Sequence, residues 1–375
     1  MSSSIAPTVP DQTVTGKPHY EVLDGLRGSA AVMVVLFHIM GMAVGWADTG
    51  QWLHHAPLAV DFFFGLSGFV IAFAYDDRWE NMTVSQFIVT RLIRLHPLVV
   101  LGAIFGLLSF LLDPFATNQA SVPLATVFGD FALACLLIPY PALPNRWSDT
   151  HSLNSPAWSL LQEYIGNLAY ALLLRRLGTK VLGGGVAVAA AVLIWIAFKE
   201  NSVDRGPGWE TMWMGTARMA FSFTLGLWLY RIRNLVPKLR LSWIAATVIL
   251  AGVFAMPLIP ASIPYGNGIY EAVVVILLFP VLILAGAHSN IGKIEMAACK
   301  LAGRISYPLY ILHFPFLFLY MNFVTFTKPP VQVAYMAGVL SFVVVIVVSW
   351  LAVTVFDEPL RRLLGKLTRR PLPQR

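Results

Sequence analysis

Ten apolar runs, each near the length that crosses the hydrocarbon layer of a membrane, leave this chain few folds to choose from. They fall at about 25–46, 58–75, 91–113, 158–174, 180–198, 211–230, 241–258, 269–287, 305–323 and 333–355. Backbone N–H and C=O groups in lipid must be satisfied within the structure, and runs of this length do so as helices. The pattern predicts an all-α polytopic membrane helical bundle of about ten transmembrane helices. Composition agrees, since 57% of the 375 residues are hydrophobic and only 12% charged, outside the range of soluble domains.

Positive charge sets the expected orientation. With ten crossings and both termini cytoplasmic, the inner segments hold Lys17 and Arg27; Arg78, Arg91 and Arg94; Arg175, Arg176 and Lys180; Arg231, Arg233, Lys238 and Arg240; Lys293, Lys300 and Arg304; and the basic residues from Arg361 onward. The outer loops hold Arg146, Lys199, Arg205 and Lys328, and Arg218 lies inside a helix. Short cytoplasmic loops are enriched in Lys and Arg. An eleventh apolar run, 124–139, is shorter, contains Asp130 and is bracketed by Pro123 and Pro141. Letting it cross would put every later basic loop outside, so it reads as a re-entrant or interfacial helix. Residues 1–22 are polar and lack the apolar core of a signal peptide, which predicts a disordered cytoplasmic leader. One membrane domain over 23–360 and a basic cytoplasmic tail over 361–375 follow.

The net charge of +7 therefore reports orientation, and no basic patch interleaved with exposed aromatics suggests nucleic acid. Cys135 and Cys299 offer neither a disulfide framework nor a metal-ligand spacing, and no metal is expected.

Polar residues inside the apolar runs carry the functional signal. In LDGLRGSAAVMVVLFH, Leu23 to His38, eleven residues separate Arg27 from His38. That is almost three helical turns, so the two share one face about 16 Å apart. An ionisable side chain near the middle of the bilayer is by default a functional-site hypothesis; the plain alternative is a histidine hydrogen-bonded to a neighbouring helix. Arg91 and Arg94 project from one helix face, where guanidinium forks suit phosphate or, more simply, anchor to lipid headgroups. Glu163 lies about a turn and a half inside its run, Asp61 enters the second run from the same side, and Arg218 and His313 lie seven to eight residues into theirs. Arg218 with one carboxylate could be a plain ion pair, but together these residues suggest a polar cavity within the bundle.

The stretches LDGLRGSAAVMVVLFH, VDFFFGLSGFVI, RLIRLHPL, NSPAWSLLQEY, GRISYPLYILHFP and FDEPLRRLL resemble, in order, the motifs of the acyltransferase-3 family of integral membrane acyltransferases. The resemblance runs from residue 23 to about 364. It implies transfer of an acyl group, usually acetyl from cytoplasmic acetyl-CoA, to a hydroxyl of a carbohydrate or other acceptor on the outer side of the bacterial inner membrane. Carried over by position, Arg27 and His38 are the essential pair, with His38 the catalytic base and Glu163 a further catalytic candidate. Arg91 and Arg94 match the arginines that hold the coenzyme phosphates. Asp61, Trp158, Arg218 and His313 are the candidates for substrate binding. The common Ser-Val-Glu-Glu run reads Leu-Gln-Glu-Tyr here, leaving one carboxylate. The competing class is a proton- or ion-coupled transporter using the same intramembrane charges, although no repeat of broken segments in two halves is visible.

Overall fold

The computed structural model describes residues 19–46, 50–116, 118–147 and 149–368. Most of the expected leader, 1–18, and the last residues of the tail, 369–375, lie outside the described residues. Helix α1 (Glu21–Val44) already includes the last two leader positions, and the start of the tail is helical.

Among the described residues the only regular structure is helical, apart from one isolated bridge between Asp149 and Gly208. After α1 come α2 (Ala59–Tyr75), α3 (Val84–Leu111), α4 (Leu124–Cys135), α5 (Ala157–Leu172), α6 (Thr179–Glu200), α7 (Met212–Ile232) and α8 (Trp243–Phe254). Helices α9 (Gly266–Val273) and α10 (Phe279–His288) continue one another through a π-helical turn. They are followed by α11 (Lys293–Thr327), α12 (Val331–Leu351) and α13 (Glu358–Thr368), the last two also joined through a π turn.

All ten apolar runs are helical, but only seven of the resulting helices are long and apolar enough to cross a membrane. The shortfall lies in α5, α7 and α8. At 1.5 Å per residue, the 16 residues of α5 and 12 of α8 rise about 24 and 18 Å, short of a hydrocarbon core about 30 Å thick. Helix α7 is 21 residues long but carries Arg218 and several hydroxyl and glycine residues. The eleventh run forms α4, again 12 residues.

Two parallel helix pairs frame the interior, and glycine brings each pair close. Where α1 meets α11, a Cβ added at Gly28 would lie 2.6 Å from Ala302. Where α2 meets α7, a Cβ at Gly226 would collide with the carbonyl of Gly65. Small residues at such crossings let backbones approach and gain van der Waals contact, the main attraction left between helices in lipid. Buried aromatics fill the spaces between, among them Phe62, Phe69 and Phe221 in one cluster and Phe64, Phe87 and Phe223 in another.

Local sequence explains the starts and interruptions that matter for the site. Thr83 and Gln86 form a reciprocal capping box that starts α3, satisfying two orphan N–H groups. Helix α11 runs through Pro308 and Pro315. Pro315 has no N–H to give the Ile311 carbonyl, and the side chain of Asn154 donates to that carbonyl instead, at 2.8 Å. The segment before α5 is thereby fastened to the middle of α11.

Candidate active site

A cavity of about 420 Å³ opens at the end of the bundle where α1, α3 and α11 begin. Six cationic side chains line it: Arg27 from α1, Arg91 and Arg94 from α3, Lys300 and Arg304 from α11, and Arg361 from α13. Three carboxylates oppose them, Asp24, Glu163 and Asp357. Arg27 donates to Asp24 at 3.0 Å, one turn earlier on α1. Arg91 is buried and donates through Nη2 to Glu163 at 3.1 Å; Ser67 of α2 donates to the same carboxylate oxygen at 2.8 Å. The Arg91 Nε is buried with no hydrogen-bond partner among the described residues. Arg94, one turn along, is exposed, and Arg304 is held by Glu358 at 2.6 and 3.1 Å. An excess of cations around a half-enclosed volume is a site for a polyanion, and guanidinium forks favour phosphate oxygens.

Away from the charges, the lining turns to Val60, Phe63, Ser159 and Tyr310. Tyr310 Oη and Ser159 Oγ are 2.8 Å apart, and Ser159 donates to the Pro156 carbonyl at 2.9 Å. A serine has one proton to give, so Tyr310 donates to Ser159.

One turn beyond Tyr310 on α11 lies His313, its ring 6.0 Å from the tyrosine ring and 5.3 Å from that of His38. Neither histidine lines the cavity. His38 Nδ1 is 2.8 Å from the Val34 carbonyl and His313 Nδ1 is 2.6 Å from that of Tyr310. A carbonyl only accepts, so each Nδ1 carries the proton and each neutral ring presents a lone pair at Nε2. The His313 Nε2 is buried without a partner among the described residues. Trp46, Trp147 and Phe314 pack around His38 at 6.1, 5.9 and 4.7 Å between ring centroids. Trp147 belongs to the segment that Asn154 fastens to α11. Beside it Arg146 lies between the rings of Phe110 and Phe318, its charge 3.8 Å from Asp113.

Arg218 and Asp61 stand apart from both groups. Arg218 Nε and Nη2 donate to Asp61 (2.7 Å at the shortest), Nη1 to Asp204 and the Arg205 carbonyl, and Nη2 also to the Pro57 carbonyl. All five N–H groups are taken. Trp158 covers the guanidinium at 5.7 Å and packs on Gly206 and Gly215. None of these three expected substrate contacts lines the cavity; they lock α2, α7 and the loop between α6 and α7 together.

Of the sequence candidates, then, the fold brings Arg27, Arg91, Arg94 and Glu163 into one cavity, and His38 and His313 into one pair. Lys300, Arg304, Arg361, Ser159, Tyr310 and Trp147 were not singled out from sequence. The two tyrosine and serine hydroxyls lay within the motif stretches, and the three cations were read only as orientation markers.

The sequence profile of the acyltransferase-3 family, described as an acyltransferase domain, matches residues 20–354. Protein 2 in the picA locus of Rhizobium radiobacter is 34% identical over 185 residues, 46% of this chain and 92% of that protein. Acyltransferase MdmB of Streptomyces mycarofaciens is 29% identical over 229 residues, 55% of each chain, so this chain spans about half of that relative. No solved structure matches. A profile match over most of the chain, on a bundle whose apolar helices suit a membrane, establishes that the chain belongs to the acyltransferase-3 family of integral membrane acyltransferases.

Proposed function

We propose that this acyltransferase takes an acetyl group from acetyl-CoA at the cation-lined end of the bundle and delivers it to a hydroxyl of an acceptor, a cell-surface or exported carbohydrate, at the opposite end. The observation that carries this reading is the cavity itself: six cations against three carboxylates around its lining, with an apolar and hydroxyl-bearing interior leading toward two imidazoles. The basic end faces the cytoplasm, by the distribution of Lys and Arg. In this reading both termini are cytoplasmic and the membrane is the bacterial inner membrane.

Arg91, Arg94 and Arg27 hold the coenzyme phosphates, and the acyl-bearing arm extends along α11 toward Tyr310. A neutral imidazole with a free Nε2 lone pair suits removal of a hydroxyl proton near neutral pH; His38 takes that role, with His313 beside it. Glu163 holds Arg91 in place before the donor arrives.

The test is thermal stabilisation of the purified protein. A ligand that binds only the native state raises apparent stability, so acetyl-CoA should raise the unfolding temperature of the wild type. The Arg91→Ala, Arg94→Ala double variant should require at least tenfold more donor for the same shift, because each lost charge-assisted contact is worth about 1.5–3 kcal/mol. Equal stabilisation of both proteins would reduce these arginines to lipid anchors, and no stabilisation of the wild type would sink the donor assignment.

A further inference from the structure

Resting on the reading just given, we propose that Tyr310 is a catalytic residue whose hydroxyl donates a hydrogen bond to the thioester carbonyl oxygen of the bound acyl donor. The phenol lines the cavity at Phe63, Ser159 and Leu160, away from the arginine mouth. It stands one turn before His313, whose Nδ1 is tied to the Tyr310 carbonyl at 2.6 Å, and His313 in turn faces His38. A donor held by its phosphates and extended into the cavity brings its thioester to this hydroxyl on the way to the imidazoles.

The hydrogen bonding of the resting site fits such a role. Ser159 gives its single proton to Pro156, and Tyr310 gives its own to Ser159, so the tyrosine proton rests on a hydroxyl that is already hydrogen-bonded elsewhere. Turning the phenol O–H to an entering carbonyl leaves Ser159 still donating to Pro156, and no buried donor is stranded. Edge contact with Phe63, at 5.3 Å between centroids, fixes the ring while the hydroxyl hydrogen turns. Arg91 stands at the phosphate-binding mouth beside Glu163, and Arg218 has no N–H to spare.

The chemistry balances without a further reactant. The acceptor oxygen bonds to the carbonyl carbon as its proton passes to an imidazole Nε2. The C=O electron pair moves onto oxygen, where the Tyr310 O–H meets the developing charge; donors aimed at that charge are among the largest catalytic contributions known. When the pair returns, the C–S bond breaks and the proton goes to the leaving sulfur, giving an ester and the free coenzyme thiol.

The test reads the carbonyl directly and needs no acceptor. Acetyl-CoA labelled with ¹³C at the thioester carbonyl is bound to the purified full-length protein, and its stretching band is followed by isotope-edited infrared spectroscopy. In the wild type the band should move to lower wavenumber than for free acetyl-CoA, and in Tyr310→Phe it should return to the free position with donor affinity unchanged within about threefold. A bound donor with no shift, or a shift that survives in Tyr310→Phe, overturns the assignment while leaving donor binding intact. Failure of the wild type to bind acetyl-CoA removes the reading on which it rests. Should Tyr310→Phe fail to fold, fluorotyrosines placed at 310 keep the shape and grade the acidity of the phenol; the shift should grow with acidity, and a constant shift refutes the proposal.

Discussion

Replacing Asp61 by leucine should destabilise the protein and leave its donor site untouched. Five N–H groups of Arg218 are satisfied in the wild type, and both the arginine and Asp61 side chains are completely buried. In Asp61→Leu the Nε–H loses both of its acceptors, and Nη2 keeps only the Pro57 carbonyl at 3.2 Å. The remaining carboxylate, Asp204, is 42% exposed and contacts a different nitrogen, so water already screens it. Two stranded donors at about 1–3 kcal/mol each agree with the roughly 3–5 kcal/mol for breaking a buried pair by removing one partner. Unfolding in mild detergent by increasing dodecyl sulfate should show a midpoint lowered accordingly. Calorimetry in the cold, where the variant is folded, should give acetyl-CoA affinity within twofold of wild type. Asp204→Asn should cost less than Asp61→Leu. A wild-type unfolding midpoint for Asp61→Leu, combined with loss of acyl transfer, would refute this reasoning and return Arg218 to the role of substrate ligand.

His38→Ala should lower transfer of labelled acetyl in native membrane vesicles, which supply the acceptor, by about 10²- to 10⁴-fold while donor binding persists; turnover within a few-fold of wild type would move the base to His313 or Glu163. His151, buried in the loop before α5 and 3.3 Å from the Leu137 carbonyl, has its pKa pushed down to about 4 by burial. The unfolded state then binds the extra proton first, so this residue's contribution is complete above its ordinary pKa near 6.5 and is lost as pH falls toward 4. About 2 kcal/mol should disappear between pH 7.5 and pH 5, and unfolding of wild type against His151→Gln should show that difference; parallel pH profiles would contradict it. The nearby Asp149 carboxyl, raised by burial, works in the opposite sense in both proteins and drops out of the comparison.

The helices themselves were legible because their signal is local. A run of apolar residues long enough to span lipid has no other low-energy backbone, and every one of the ten runs is helical. Length could not decide α5, α7 and α8, since a short or polar helix is stabilised by its neighbours, and neighbours are not written beside it in the chain. Position 61 shows the same limit. Its aspartate was visible as a charge in an apolar run, but whether it met substrate or an arginine depended on residue 218 and on the carbonyls of Pro57 and Arg205.

The sequence by itself determined the class of fold, the motif order of the family and the alignment of Arg27 with His38 along one helix, all consequences of helical periodicity and hydrophobic length. Tertiary structure alone decided that Arg91 meets Glu163 across 72 positions, that His38 faces His313, and that Tyr310 lines the same cavity as the arginines. It also decided that Asn154 replaces the hydrogen bond Pro315 cannot make. These are contacts between segments distant in the chain, and neither partner's neighbours in the sequence specify them.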